Sequence, residues 1–294
     1  MIRFDSNRAW EDAMRIVAAN REVLTVLAGV FFFLPAVAAL TYLTPLQGEL
    51  GALQAKMSSK PNMAEMQPLM QLIGQMMPAF LALALVQIVG RMGMMALVTD
   101  QRRPTVGEAL GIAVKCLPAM IGAFLVIVVV YFVAVIIVSL VAALLGAGIN
   151  MAHSSVLTGL FVTLIVVGAL AGILFAFTRL LMLIPVIVID GEHGPVKAIK
   201  RSWNMVQGNT ARVFLFYILL ALGTLVISLV ASFGLKILGG LVGSAGLLLA
   251  AIGSALISSV IGVVMMAVLV AIHRQLASAP VEVVAEEKTS VWGG

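Results

Sequence analysis

Two arginines stand where a charge is costly. Arg91 and Arg179 each lie inside a long apolar run, in "RMGMMALVTD" and "RLLMLIPVIVID", with a methionine three residues on (Met94, Met182). A charged side chain within a membrane span is rare and marks function by default. The planar guanidinium fork fits two oxygens of a phosphate, so recognition of a lipid phosphate is the chemistry these residues could do. Snorkelling to the nearer membrane surface is the plain structural alternative. In "GPVKAIKRSWNMVQGNTARVFLF", Gly194 to Phe216, Lys200 and Arg201 offer two more cations to phosphates. Trp203 in that stretch, and Trp10 near the start, are of the type that anchors at headgroup level.

Other chemistry finds little material. No Asp or Glu lies deep in an apolar run, so a carboxylate proton relay has no residues to use. His153, His193 and His273 are far apart, without HExxH spacing and without a cysteine partner. Glu192 and His193 beside Asp190 read as a solvated turn. Neither a Gly-x-Ser-x-Gly elbow nor a Walker loop occurs. The Met-rich segment "GELGALQAKMSSKPNMAEMQPLMQLIGQMMP" sets Met63, Met66 and Met70 on one helical face, and thioethers can bind Cu(I). With no His or Cys in that loop, apolar packing is the expectation. Cys116 is the single cysteine, which excludes an intramolecular disulfide. No enzyme, metal site or cofactor is expected.

The elements that position these residues follow from hydropathy. The chain is 62% hydrophobic and 11% charged, too apolar for a soluble domain of 294 residues. Six runs are long enough to cross a bilayer: about Val23–Thr44, Met77–Val98, Leu117–Gly146, Val156–Ile189, Arg212–Phe233 and Leu247–Ile272. The fourth would be about 50 Å long as one helix, so it must tilt, project or kink near Pro185. The first 22 residues mix four Arg with four acids and lack a cleavage-type pattern, so no signal peptide is expected. Of 18 Lys and Arg, Arg91 and Arg179 lie within runs and only Lys56, Lys60 and Lys236 fall on one side. The positive-inside rule then puts both termini in the cytoplasm. It also explains the net charge of +5, which would otherwise suggest nucleic acid; none is expected as a partner.

Three segments share a design. Val196, Ile199, Trp203 and Val206 recur at helical spacing opposite Lys197, Lys200, Arg201 and Asn204. Trp10, Ala13 and Val17 repeat the pattern against Glu11, Asp12, Arg15 and Arg21, and Val106, Ala109 and Ala113 against Glu108 and Lys115. Each segment leads through a hinge-like residue into a span: Asn20, Pro118, or Gly208 with Asn209. The expected fold is therefore all-α. Six transmembrane helices form three pseudo-repeats (about 4–98, 103–189 and 194–274), each a cytoplasmic interfacial amphipathic helix plus a hairpin. One membrane domain covers 1–275, and a disordered tail 276–294.

The third unit resembles a known family. Ala198, Ser202 and Trp203 on a helix, followed by Gly208 and Asn209 and then a span, are similar to the membrane domain of glycerophosphoryl diester phosphodiesterase, strongest over 179–220. The resemblance implies a bacterial multi-pass inner-membrane protein. Some members carry a soluble phosphodiesterase domain after the membrane part; the twenty or so residues after Arg274 are too few to form one. The resemblance therefore brings no phosphodiesterase activity with it.

The expected function is a non-enzymatic inner-membrane protein that binds, organises or translocates lipids or other amphiphiles. A scaffold or assembly factor for other membrane proteins is the alternative, and a small-solute transporter a weaker one. Gly168-x-x-x-Gly172, Gly239-x-x-x-Gly243 and Ser258-x-x-x-Gly262 are expected to serve mainly internal helix packing, with an oligomer interface as the other use.

Overall fold

The computed structural model describes residues 4–59, 66–99, 104–151, 155–242 and 244–277. Lys60, Met63, Asp100, Arg102, Arg103, His153 and the tail expected to be disordered beyond residue 277 lie outside these. The described residues are helical throughout apart from short turns, with no strand among them. Six helices are long and apolar enough to cross a membrane, which makes this a multi-pass membrane protein.

The chain opens with α1, Ser6–Ala19, whose N-terminus is capped by Asp5: its carboxylate accepts from the Asn7 and Arg8 amides. At Asn20 the helix turns; the Asn20 amide nitrogen donates to the Ile16 carbonyl and satisfies one group of the outgoing end. The first span then runs through α2, Arg21–Ala28, a π-turn over Gly29–Phe33, and α3, Leu34–Ser59. Pro35 cannot donate to the Phe31 carbonyl, and the wider turn sits just before it. Next come α4, Met66–Thr99, and α5, Val106–Met151. A capping box starts α5: Glu108 accepts from the Thr105 amide at 2.7 Å while the Thr105 hydroxyl faces the Glu108 amide.

Pro118 does not break the chain. It lies inside α5, so the second amphipathic segment and the third span are one continuous helix, contrary to the hinge expected there. A proline removes a single helical hydrogen bond, and no Gly or Asn stands beside it to start a turn.

The fourth run does break. α6 covers Ser155–Leu180 and α7 Leu183–Val188, with Leu181 and Met182 in a turn between them. Pro185 is the cause: it has no N–H for the Leu181 carbonyl, and the Leu181 amide reaches back to Thr178 at 3.4 Å in a tighter turn. After a loop with Gly191 in the left-handed region (φ +67°), α8 spans Pro195–Met205 with Pro195 at its start. Gly208 (φ +86°) and Asn209 turn the chain into α9, Thr210–Val242, and α10, Ser244–Ala277, closes the bundle.

The core sits at one end of the bundle. It gathers α1, the start of α2, Met92 to Met95 of α4, the first third of α5, α7, α8, the start of α9 and the last third of α10. Met94, Met182 and Met266 all reach it, and none is more than 1% exposed. More than half (56%) of α10's apolar stretch is buried, against none of α5's or α6's. From Val129 to Leu140, α5 is exposed on all sides. A small second cluster, Leu72 and Met76, holds the far parts of α3 and α4 together.

Small residues let the packed end close. Four and eight residues after the cap positions Asp5, Thr105 and Gly194 stand Ala9 and Ala13, Ala109 and Ala113, and Ala198 and Ser202, each buried. The side turned to the protein is thus this narrow face. It is rotated away from the tryptophans: Trp10 is 42% and Trp203 37% exposed, and Val196 is exposed too. The Ala9 and Ala13 stripe of α1 packs along α10. Gly122 plays the same part on α5, where a Cβ would meet the Pro195 ring at 2.7 Å.

Candidate functional site

Two sets of polar side chains occupy the packed end, and the geometry separates the candidate residues. Arg179, at the last turn of α6, is engaged with α8 through one nitrogen of its guanidinium, while its Nε is shielded and unbonded. Its Nη1 donates to the Trp203 carbonyl at 2.8 Å, and the Ser202 hydroxyl donates back to the Arg179 carbonyl at 2.8 Å. The guanidinium lies over the Phe175 ring at 5.1 Å and the Trp203 ring at 5.4 Å, and the two rings meet edge to face at 5.7 Å. An arginine clamped in this way joins α6 to α8 and has one face of its fork occupied.

Arg201 is engaged as well. Its Nε donates to Asp190 Oδ2 at 2.6 Å, and that hydrogen bond raises the guanidinium pKa above its already high value, keeping it charged. Asp190 also holds His273 of α10, whose Nε2 is 3.2 Å from Oδ1, within ion-pair range though not aligned as a hydrogen bond. The Asp190 side chain is 13% exposed and that of His273 3%. The solvated turn expected around Asp190 is instead a partly buried tie between the α7–α8 loop, α8 and α10. Lys200 remains exposed on the outer face of α8.

The histidines also gain partners that sequence separation hid. His193 Nδ1 is 2.6 Å from the Gly191 carbonyl, a contact in which Nδ1–H donates. Its Nε2 faces Cys116 Sγ at 3.9 Å, and the thiol also faces the Ile187 carbonyl at 3.8 Å. The cysteine is thus next to a histidine, contrary to expectation, yet it is only 2% exposed. Among the described residues no group of three His, Cys, Asp or Glu is placed to hold a metal ion.

Arg91 differs from these. It makes no hydrogen bond or ion pair with any described residue, and its Nε is shielded and unbonded. Its guanidinium lies over the Phe32 ring at 5.8 Å. Phe32 stands eleven positions inside the span that starts at Arg21, so the charge stays roughly 16 Å in from that helix start.

The turn expected from Gly208 and Asn209 has a further use. Asn209 Oδ1 accepts from the Phe4 amide at 3.0 Å, which fixes the chain's first described residue beside α9. A similar contact ties α10 to α4 at the packed end: Arg274 Nη2 donates to the Val98 carbonyl at 3.0 Å.

Residues 153–290 match the family described as the membrane domain of glycerophosphoryl diester phosphodiesterase. Over that stretch the chain is similar to this family. The match contains Ala198, Ser202, Trp203, Gly208 and Asn209, so the resemblance holds where those residues suggested it. Their geometry gives the motif a physical meaning: Ala198 permits close approach, Ser202 and Trp203 grip Arg179, and Gly208 and Asn209 make the turn. No curated protein and no solved structure matches the chain.

Proposed function

We propose that this is a non-enzymatic bacterial inner-membrane protein that binds and organises lipids or related amphiphiles and helps move them within the bilayer. One observation carries the reading: the main core lies at one end of the six apolar helices, and away from it α5 and α6 are left without packed neighbours. Beyond that end, the flanks of α5 and α6 from Val129 to Leu140 and from Val166 to Phe175 stand open to the hydrocarbon. A closed bundle would bury these faces, and a solute channel would line them with polar groups. Here they offer acyl chains a surface between helices, with the cations Arg91, Arg179, Lys200 and Arg201 toward the packed end.

In this reading the packed end is cytoplasmic, with both termini, because the cations concentrate there. The equal spacing of buried small residues after Asp5, Thr105 and Gly194 supports three pseudo-repeats, each with an amphipathic segment in the headgroup plane. Trp10 and Trp203 are its interfacial anchors. The experiment is reconstitution in vesicles holding a trace of headgroup-labelled phospholipid, with quenching of the outer leaflet. Loss of the protected half of the signal, faster than in empty vesicles, supports translocation; equal rates together with no lipid retained in native mass spectra would defeat the whole reading.

A scaffold role has one specific observation in its favour. Gly168 and Gly172 on α6, expected to serve internal packing, have nothing within 4 Å of where a Cβ would stand. That open notch suits a helix from another membrane protein. Cross-linking from Gly168→Cys in a Cys116→Ser background, in native membranes, would reveal a defined neighbour if this reading is the correct one.

A further inference from the structure

Arg91 differs in its engagement from Arg179, Arg201 and Arg274. Arg179 is committed to the Trp203 carbonyl, Arg201 to Asp190 and Arg274 to the Val98 carbonyl. Arg91 has neither a carboxylate nor a carbonyl, and its neighbours are equally unsatisfied. Gln87 stands one turn earlier on the same face of α4 and makes no hydrogen bond with a described residue. The Tyr217 hydroxyl makes none either; its ring meets that of Phe177 at 5.9 Å and lies within the field of the Arg91 charge. A cation, an amide and a phenol, all able to donate, are thus left without acceptors among the described residues on a half-buried flank of the bundle. Leaving such groups unpaired in low dielectric costs free energy, and an arriving anion would recover it.

The α4 face that carries them also has a direction. Phe80, Ala84, Gln87 and Arg91 follow one another at helical spacing, and exposure falls along the row: Phe80 is 46% exposed, Ala84 exposed, Gln87 and Arg91 half-buried. The row is apolar and open toward the far end and polar and enclosed toward the packed end. A free anion would have to cross hydrocarbon to arrive there. A lipid can enter sideways, with its chains along Phe80 and Ala84.

We propose that Arg91, with Gln87 and Tyr217, binds the phosphodiester of an anionic phospholipid that enters laterally along α4. This rests on the lipid reading above and narrows it to one of the two matched arginines. Arg179 is a strut in this assignment, and Arg91 is the ligand-binding residue. The guanidinium would take two phosphate oxygens through its fork, with the Gln87 amide and the Tyr217 hydroxyl donating to the same group.

The test uses full-length protein in nanodiscs of phosphatidylcholine containing one tenth phosphatidylglycerol. Native mass spectrometry reads the phosphatidylglycerol retained per chain. For a roughly tenfold preference, the effect of one charge-assisted pair, phosphatidylglycerol should make up about half of the lipid retained by wild type, roughly fivefold above its share of the bilayer. Arg91→Gln should lose that enrichment and Arg91→Lys only part of it. The double variant Gln87→Leu/Tyr217→Phe retains the arginine; a several-fold loss there tests the site even if Arg91→Gln fails to fold. Wild-type enrichment that survives either Arg91→Gln or, where that variant does not fold, the double variant would overturn the assignment and leave the lipid reading standing. No enrichment of phosphatidylglycerol over phosphatidylcholine in wild type would also overturn it, and with no lipid of either kind retained, the lipid reading would fall with it. Displacement by millimolar inorganic phosphate would show a free-phosphate site, against the lipid proposed.

Discussion

Removing the Asp190 carboxylate would strip His273 and Arg201 of a shared partner at once. Asp190→Asn should cost about 1–2 kcal/mol, less than a fully buried pair because the Arg201 side chain is 54% exposed. Equilibrium unfolding in mixed micelles would measure it, and a stability equal to wild type would show the tie to be idle. The Arg179 clamp has a spectroscopic reading. With Trp10 and Trp292 replaced by Phe, Arg179→Leu should shift Trp203 emission to the red as its ring loses the stacked cation. Neither contact was legible in the sequence. Asp190 and His273 are 83 positions apart, and Cys116 and His193 are 77 apart, with no spacing rule to connect them. A usable signal did exist: span counting puts all four residues near the same membrane face.

At the scale of helices, hydropathy gives number and place well but continuity poorly. The six spans stand where the apolar runs predict them, because a stretch of about 20 apolar residues has few alternatives to a helix in lipid. Whether a proline breaks a helix depends on what surrounds it. Pro185 has a turn three residues before it, whereas α5 runs through Pro118. Pro118→Ala should therefore leave helical content unchanged. The glycines divide in the same way. A Cβ on Gly246 would strike the backbone of Gly239, so Gly246→Leu should force α9 and α10 apart and destabilise the protein by about 1–3 kcal/mol. Gly168→Leu, with open space around it, should leave monomer stability unchanged. The same unfolding assay compares the two. Sequence spacing alone treats these glycines as equivalent, since it records the stripe and not what faces it.

For the molecule as a whole, orientation is a prediction from charge. Single cysteines at Ser6 and at Gly48, each in a Cys116→Ser background, should differ in labelling of intact cells by an impermeant thiol reagent. Gly48→Cys should react and Ser6→Cys should not; the opposite result would invert the topology. The confinement of the core to one end has a mechanical meaning. α5 and α6 are levers held at a common fulcrum, and their long arms have few neighbours of their own. Thickening or compressing the membrane then acts on those arms, while the fulcrum keeps its side chains in place. Spin labels across α5 and α6 at Val138 and Val166 should give distances that broaden and move with acyl-chain length. Labels at Met120 and Ile184, where the same run of chain is anchored, should give one narrow distance in every bilayer.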